Sequence, residues 1–126
     1  MELFSPANLD QWVPEGEPDV YMVFGALASY TRYRYCCALS KRLAERLGLS
    51  LDTRPDAILV NNDTGEYVIA EFKMHSSSYR INHAADDVDV LVVWEHDETD
   101  LTKLPPEVVT LREIARDVAF TSLADE

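Results

Sequence analysis

A single α/β domain, a mixed central sheet of about four strands flanked by helices, is the fold class the sequence predicts. Three observations predict it. Val20, Tyr21, Phe24, Leu27 and Ala28 recur at helical spacing. Two β-rich runs, Ala57–Val60 and Tyr67–Lys73, flank Asn61-Asn62-Asp63-Thr64-Gly65, which is strong turn chemistry. Val88–Trp94 is a nearly continuous apolar run, the pattern of a central strand buried on both faces.

In chain order, residues 1–16 read as an irregular lead-in, because Pro6, Pro14 and Gly16 punctuate them. A helix opens at Glu17, with Pro18 in its first turn and Gly25 tolerated in its interior. Ser29–Tyr35 is aromatic and basic, with Arg32 and Arg34 set among Tyr30, Tyr33 and Tyr35. A second helix is expected over Cys37–Leu47, with Leu39, Leu43 and Leu47 on one face and Gly48 as its stop. The hairpin follows, then a polar stretch, Ser76–Asp87, with room for a short helix. Beyond the buried strand, Pro105-Pro106 breaks the chain. Val108-Val109 is expected as an edge strand and Leu111–Phe120 as the last helix. No repeat or internal linker divides the chain, so residues 1–126 form one domain.

A chain of 126 residues, 47% hydrophobic, has the size of one core and is not a disordered tail. No apolar run nears the roughly 18 residues of a membrane span. The N-terminus has no basic segment leading into an apolar one, so no cleaved leader is expected and a cytoplasmic location follows by default. The adjacent Cys36 and Cys37 lack the spacing of a zinc or redox site, and read as two small buried side chains on a helix.

Charge constrains the partner. Twenty-three acidic residues against eleven basic ones give a formal net charge of −12, with lysine only at positions 41, 73 and 103. Such a surface offers no generic basic footprint for DNA. Acid-rich, lysine-poor composition fits a protein working in very high salt, as in a halophilic organism. There, at about 1 M, the Debye length of about 3 Å screens the repulsion.

The hairpin carries the chemistry. Side chains alternate along a strand, so Glu71 and Lys73 share a face while Phe72 takes the other. Asp56 opens the preceding strand after Pro55, and pairing through the turn brings it toward Glu71. Two carboxylates, with the Phe72 backbone carbonyl as a further oxygen, suit a hard cation such as Mg²⁺, or Mn²⁺ in its place. A cation held there activates water and offsets phosphoryl charge, and Lys73 stands beside it to orient that water. An acidic residue two positions before a lysine is, by itself, a common solvated sheet face. The upstream Pro55-Asp56 gives the pattern its chemical content.

Pro55-Asp56 followed by Glu71-Phe72-Lys73 resembles the PD-(D/E)xK nuclease superfamily, over roughly Glu17 to Leu111. Ser76-Ser77-Ser78, His83 and the run Asp87–Glu95 resemble a restriction-endonuclease-like subgroup of small proteins. The resemblance implies a restriction-endonuclease-like core, Asp56 and Glu71 as metal ligands, and Lys73 as the catalytic lysine. It also implies a glutamate from the first helix, for which Glu17 is preferred over Glu45. His83 is a candidate at the scissile phosphate, ahead of His75 and His96.

Arg32, Arg34 and Arg80, with Ser76, Ser77 and Ser78, are the candidate contacts to a DNA backbone, and Tyr79 is a candidate base-stacking ring. No dedicated DNA-reading element is present, so cleavage directed by substrate structure, or service as the nuclease part of a larger assembly, is expected. A homodimer would suit duplex cutting. The competing expectation is a non-catalytic protein-binding module that keeps the fold, its acidic surface facing a basic partner.

Overall fold

The computed structural model of the protein describes residues 14–48, 56–79 and 88–124. Helix α1 spans Glu17–Leu27 and is followed by a 3₁₀ turn, Ala28–Tyr30. Strand β1 is Tyr33–Ala38, helix α2 Lys41–Arg46, strand β2 Ala57–Asn61 and strand β3 Tyr67–His75. A 3₁₀ turn at Ser76–Ser78 leaves β3, and strand β4 is Val90–Glu95. A further 3₁₀ turn, Leu101–Lys103, precedes strand β5, Glu107–Thr110, and helix α3, Leu111–Ala124.

The five strands form one mixed sheet in the order β1-β2-β3-β4-β5. The first three are antiparallel neighbours, whereas β3, β4 and β5 run parallel. Helices α1 and α3 cover one face. Val20, Val23, Phe24 and Leu27 of α1 pack there with Leu111 and Ala115 of α3 against Leu59, Ala70, Phe72, Val90 and Val92. On the other face, Leu39 and Ala44 cover Ile58, while Tyr79 covers Leu91 and Val93. β4 is therefore buried on both sides, as its unbroken apolar run predicts. Among the described residues, no helix is long and apolar enough to cross a membrane.

Helix α1 follows its sequence closely. Its buried residues fall at i, i+3, i+4 and i+7, Pro18 sits in the first turn, and Glu17 and Asp19 face the positive end of the helix dipole. The turn between β2 and β3 is closed by Gly65, whose φ of +76° suits glycine, and by the Asn61 side chain accepting from the Asp63 amide at 2.9 Å. α3 extends to Ala124, past the expected Phe120.

Two expectations are corrected. The sheet has a fifth strand, because residues 33–38 pair with β2 instead of joining a helix. The expected helix over Cys37–Leu47 starts only at Lys41, where the Ser40 hydroxyl accepts from the Leu43 amide at 3.2 Å and so caps it. Leu39 and Leu43 do pack together against Ile58, but Leu47 is exposed. The cysteines accordingly lie on a strand. The register slips between Tyr35 and Cys37, so Cys36 is the extra residue of a β-bulge and is exposed, and Cys37 is half-buried.

Candidate active site at the fork of β2 and β3

The β2–β3 ladder ends at Ala57↔Ala70. Asp56 is the next residue outward, and its backbone amide still donates to the Ala70 carbonyl at 3.1 Å. Beyond that point the strands part, and a side chain takes over from the backbone. The amide of Phe72 donates to Asp56 Oδ2 at 2.8 Å. The carboxylate thus satisfies a half-buried N–H that the diverging strand no longer reaches, and is itself held in place. A second donor fixes it: the Tyr21 hydroxyl of α1 hydrogen-bonds to Asp56.

Phe72 anchors this arrangement from below. It is 1% exposed, with its ring 4.5 Å from that of Tyr21 and 5.5 Å, edge to face, from that of Phe24. Burying a ring of this size contributes about 1.5–3 kcal/mol. Burial pushes the Tyr21 phenol well above its ordinary pKa, and the charge and hydrogen bond of Asp56 push the same way, as do the charges of Glu17 and Glu71.

Glu71 is half-buried beside this pair. Desolvation raises its carboxyl pKa first, then the negative charge of Asp56. Glu17 adds to the rise and Lys73 opposes it. The Lys73 ammonium does not balance the three carboxylates gathered here. Its Nζ lies 3.3 Å from Glu17 Oε1, and both side chains keep partial contact with solvent, at 27% and 46% exposure. Such a pair is worth at most about 1 kcal/mol, so the ammonium is readily drawn to a better partner.

The donor set has the chemistry of a site for a hard divalent cation. Among the described residues, no three His, Cys, Asp or Glu side chains are gathered to hold a metal alone. Mg²⁺ does not require that. It is usually bound by one or two carboxylates and keeps several waters. Asp56 and Glu71 supply two, and the elevated proton affinity of Glu71 marks negative potential that a cation would relieve. The Phe72 carbonyl leaves the strand on the same edge as its amide, toward Asp56. Of the two helix glutamates, Glu17 reaches this cluster through Lys73, whereas Glu45 is exposed on α2.

The other expected contacts lie elsewhere. Arg32 and Arg34 sit at or beside the end of β1 that pairs with Asn61, away from the Ala38–Ala57 end next to Asp56. Arg32 Nε approaches Glu107 Oε1 at 3.7 Å, and Arg34 hydrogen-bonds to the Asn62 side chain. Ser76 is fully buried. Its hydroxyl oxygen accepts from the amides of Asp97 and Glu98 at 2.9 and 2.8 Å and contacts His96 Nδ1 at 2.7 Å. Ser77 donates to Asp97 through its amide and its hydroxyl, both at 2.9 Å. The Ser77 amide is the leading reason the Asp97 carboxyl lies below its ordinary pKa. Tyr79 is 5% exposed in the core, and Ser78 is exposed. Arg80, His83 and Pro55 lie outside the described residues.

Two features are not evident from sequence. Tyr21 reads there only as an apolar helix position, yet it binds Asp56. Its i, i+4 relation to Glu17 places both on one helix face and is the available signal. At the ends of β3 and β4, His75 pairs in register with Glu95, and its Nδ1 stands 3.5 Å from Glu95 and 3.7 Å from Asp97. No family model, curated protein or solved structure matches this chain.

Proposed function

We propose that the chain is a metal-dependent phosphodiesterase acting on DNA, built on a restriction-endonuclease-like core. It would act on substrates chosen by their structure, or as the nuclease part of a larger assembly. The observation that carries the reading is the meeting of Asp56 and Glu71 at the β2–β3 fork, with Lys73 one strand period beyond Glu71. The mixed five-stranded sheet with helices on its faces supports the same core.

In this reading Asp56, Glu71 and the Phe72 carbonyl hold Mg²⁺, and Mn²⁺ can replace it. Bound there, the cation lowers the pKa of a water and neutralises charge on the phosphoryl oxygens. The chain's own residues prepare the site. Phe72 N–H and Tyr21 O–H fix the Asp56 carboxylate, so no reorganisation is needed when substrate arrives. Lys73 exchanges Glu17 for the phosphate, where its ammonium orients the attacking water and offsets developing charge. Glu17 then remains at the rim as a further oxygen ligand or as a proton acceptor for the released water.

Calorimetry with Mg²⁺ and Mn²⁺, run beside cleavage assays on single-stranded, duplex, flapped and branched DNA in low and molar salt, tests the reading. Asp56→Asn and Glu71→Gln should weaken metal binding and nearly abolish turnover. Lys73→Ala should keep most of the metal affinity and lose roughly 10²–10³ in rate, because its role is played near the transition state. Metal binding without cleavage of any substrate would overturn the enzyme reading in favour of a binding module. Activity surviving Glu71→Gln would place the chemistry elsewhere.

A further inference from the structure

An apolar groove of about 340 Å³ opens beside the fork, lined by Tyr21, Met22, Phe24, Gly25, Tyr35 and Phe72. Phe24 and Phe72 belong to the buried core, but Tyr21, Met22 and Tyr35 are 37%, 71% and 53% exposed. Among the described residues, no charged side chain lines it. Tyr21 joins this groove to the candidate site, since its ring packs on Phe72 and its hydroxyl bonds to Asp56. Whatever lies in the groove is therefore next to the paired carboxylates.

Gly25 gives the groove its meaning. Glycine inside a helix costs stability relative to alanine, and it is normally kept where a neighbour comes too close for a side chain. Among the described residues there is no such neighbour: a Cβ at position 25 would meet no heavy atom within 4 Å. What the missing side chain preserves is open space on the groove wall.

We propose that the groove takes one unpaired nucleobase of the strand whose phosphodiester is presented to Asp56 and Glu71. The proposal rests on the nuclease reading and adds the substrate class: single-stranded DNA, or DNA with an unpaired nucleotide at the cut. A chain of net charge −12 cannot gather a polyanion by general attraction. Stacking on aromatic rings needs no such attraction and tolerates any base. The volume is at the lower end of the ~300–1,000 Å³ of small-molecule sites, which suits one base and not a helix. A paired base would first have to leave its stack, so unpaired nucleotides are favoured.

Fluorescence anisotropy on the full chain, in molar NaCl with Ca²⁺, separates base from backbone. The probes are a labelled short oligothymidylate, an abasic strand of the same length, and a blunt duplex. Oligothymidylate should bind roughly 10-fold tighter than either of the others. Gly25→Leu and Tyr35→Ala should each bring it down toward the abasic value, whereas Gly25→Ala should leave it nearly unchanged. Gly25→Leu improves helix propensity, so loss of binding with an undiminished Tm is a loss of the groove and not of the fold.

Equal binding of the abasic strand, full affinity in Gly25→Leu, or no binding of any probe would overturn the proposal. So would self-association in sedimentation that Gly25→Leu abolishes, because the groove would then be filled by a second copy. The nuclease reading fails separately, on the Asp56 and Glu71 variants. Base-dependent binding without hydrolysis keeps the groove and removes the enzyme, whereas duplex cleavage indifferent to Gly25→Leu does the reverse.

Discussion

Replacing Asp56 with alanine should destabilise the fold far more than replacing it with asparagine, although both substitutions remove the same charge. The carboxylate accepts from the half-buried Phe72 amide at 2.8 Å and from the Tyr21 hydroxyl. Hydrogen bonds to a charged partner contribute about 1.5–3 kcal/mol, and a buried donor left unmet costs about 1–3 kcal/mol. Against this stands the repulsion between Asp56 and Glu71, which either substitution removes. Like charges on neighbouring strands cost at most about 1 kcal/mol. Alanine loses both acceptors, so it should destabilise by about 2–3 kcal/mol. Asparagine keeps an oxygen for the Phe72 amide, loses the charge assistance and gains the relief, so it should fall within about 1 kcal/mol of wild type.

For a domain of 126 residues, between the sizes for which the scaling is known, 1 kcal/mol moves Tm by roughly 3–6 °C. Alanine should therefore melt about 10 °C below wild type, with asparagine within a few degrees of it. The assay is a pair of thermal and urea melts at pH 7 with chelator present, checking that the urea slope is unchanged. If Asp56→Ala melts with Asp56→Asn, the carboxylate does not hold the fork, and its placement beside Glu71 is not enforced by the fold.

The remaining predictions concern charge. Glu71 has a raised folded-state pKa, so between the unfolded value of about 4.3 and the folded value the native state holds more protons. Stability then falls as pH rises through that window. Without metal, Glu71→Gln should match wild type below it and exceed wild type above it. Urea midpoints across a pH series with chelator check the sign, and a variant that loses ground as pH rises would contradict it. If the −12 charge is an adaptation to salt, Tm should climb from low ionic strength to molar NaCl as repulsion is screened. A flat or falling melting midpoint would remove that explanation.

Much of this protein is legible in local pattern. The spacing of Val20, Phe24 and Leu27 determines α1, the turn residues Asn61–Gly65 determine the hairpin, and the unbroken run Val90–Trp94 determines a strand covered on both faces. Each of these signals is carried by one element and its own faces, so it survives in a one-dimensional reading. β1 is not legible in that way. Only Tyr33 of its six residues is buried, Tyr35 faces outward, and the bulge at Cys36 breaks the alternation, so pairing with β2 decides that it is a strand.

The site divides along the same line. That Glu71 and Lys73 share a side of β3 follows from the strand period alone. That Asp56 caps the parting strands, that Tyr21 secures it, and that Glu17 and not Glu45 reaches Lys73 are matters of register and of how α1 lies on the sheet. The same holds for Ser76 and Ser77, ordinary loop serines in the sequence, which the fold engages with residues 96–98 at the exit of β4. Such contacts join residues far apart in the chain. Sequence supplies the groups, but only the packed sheet and helices bring them within hydrogen-bonding distance.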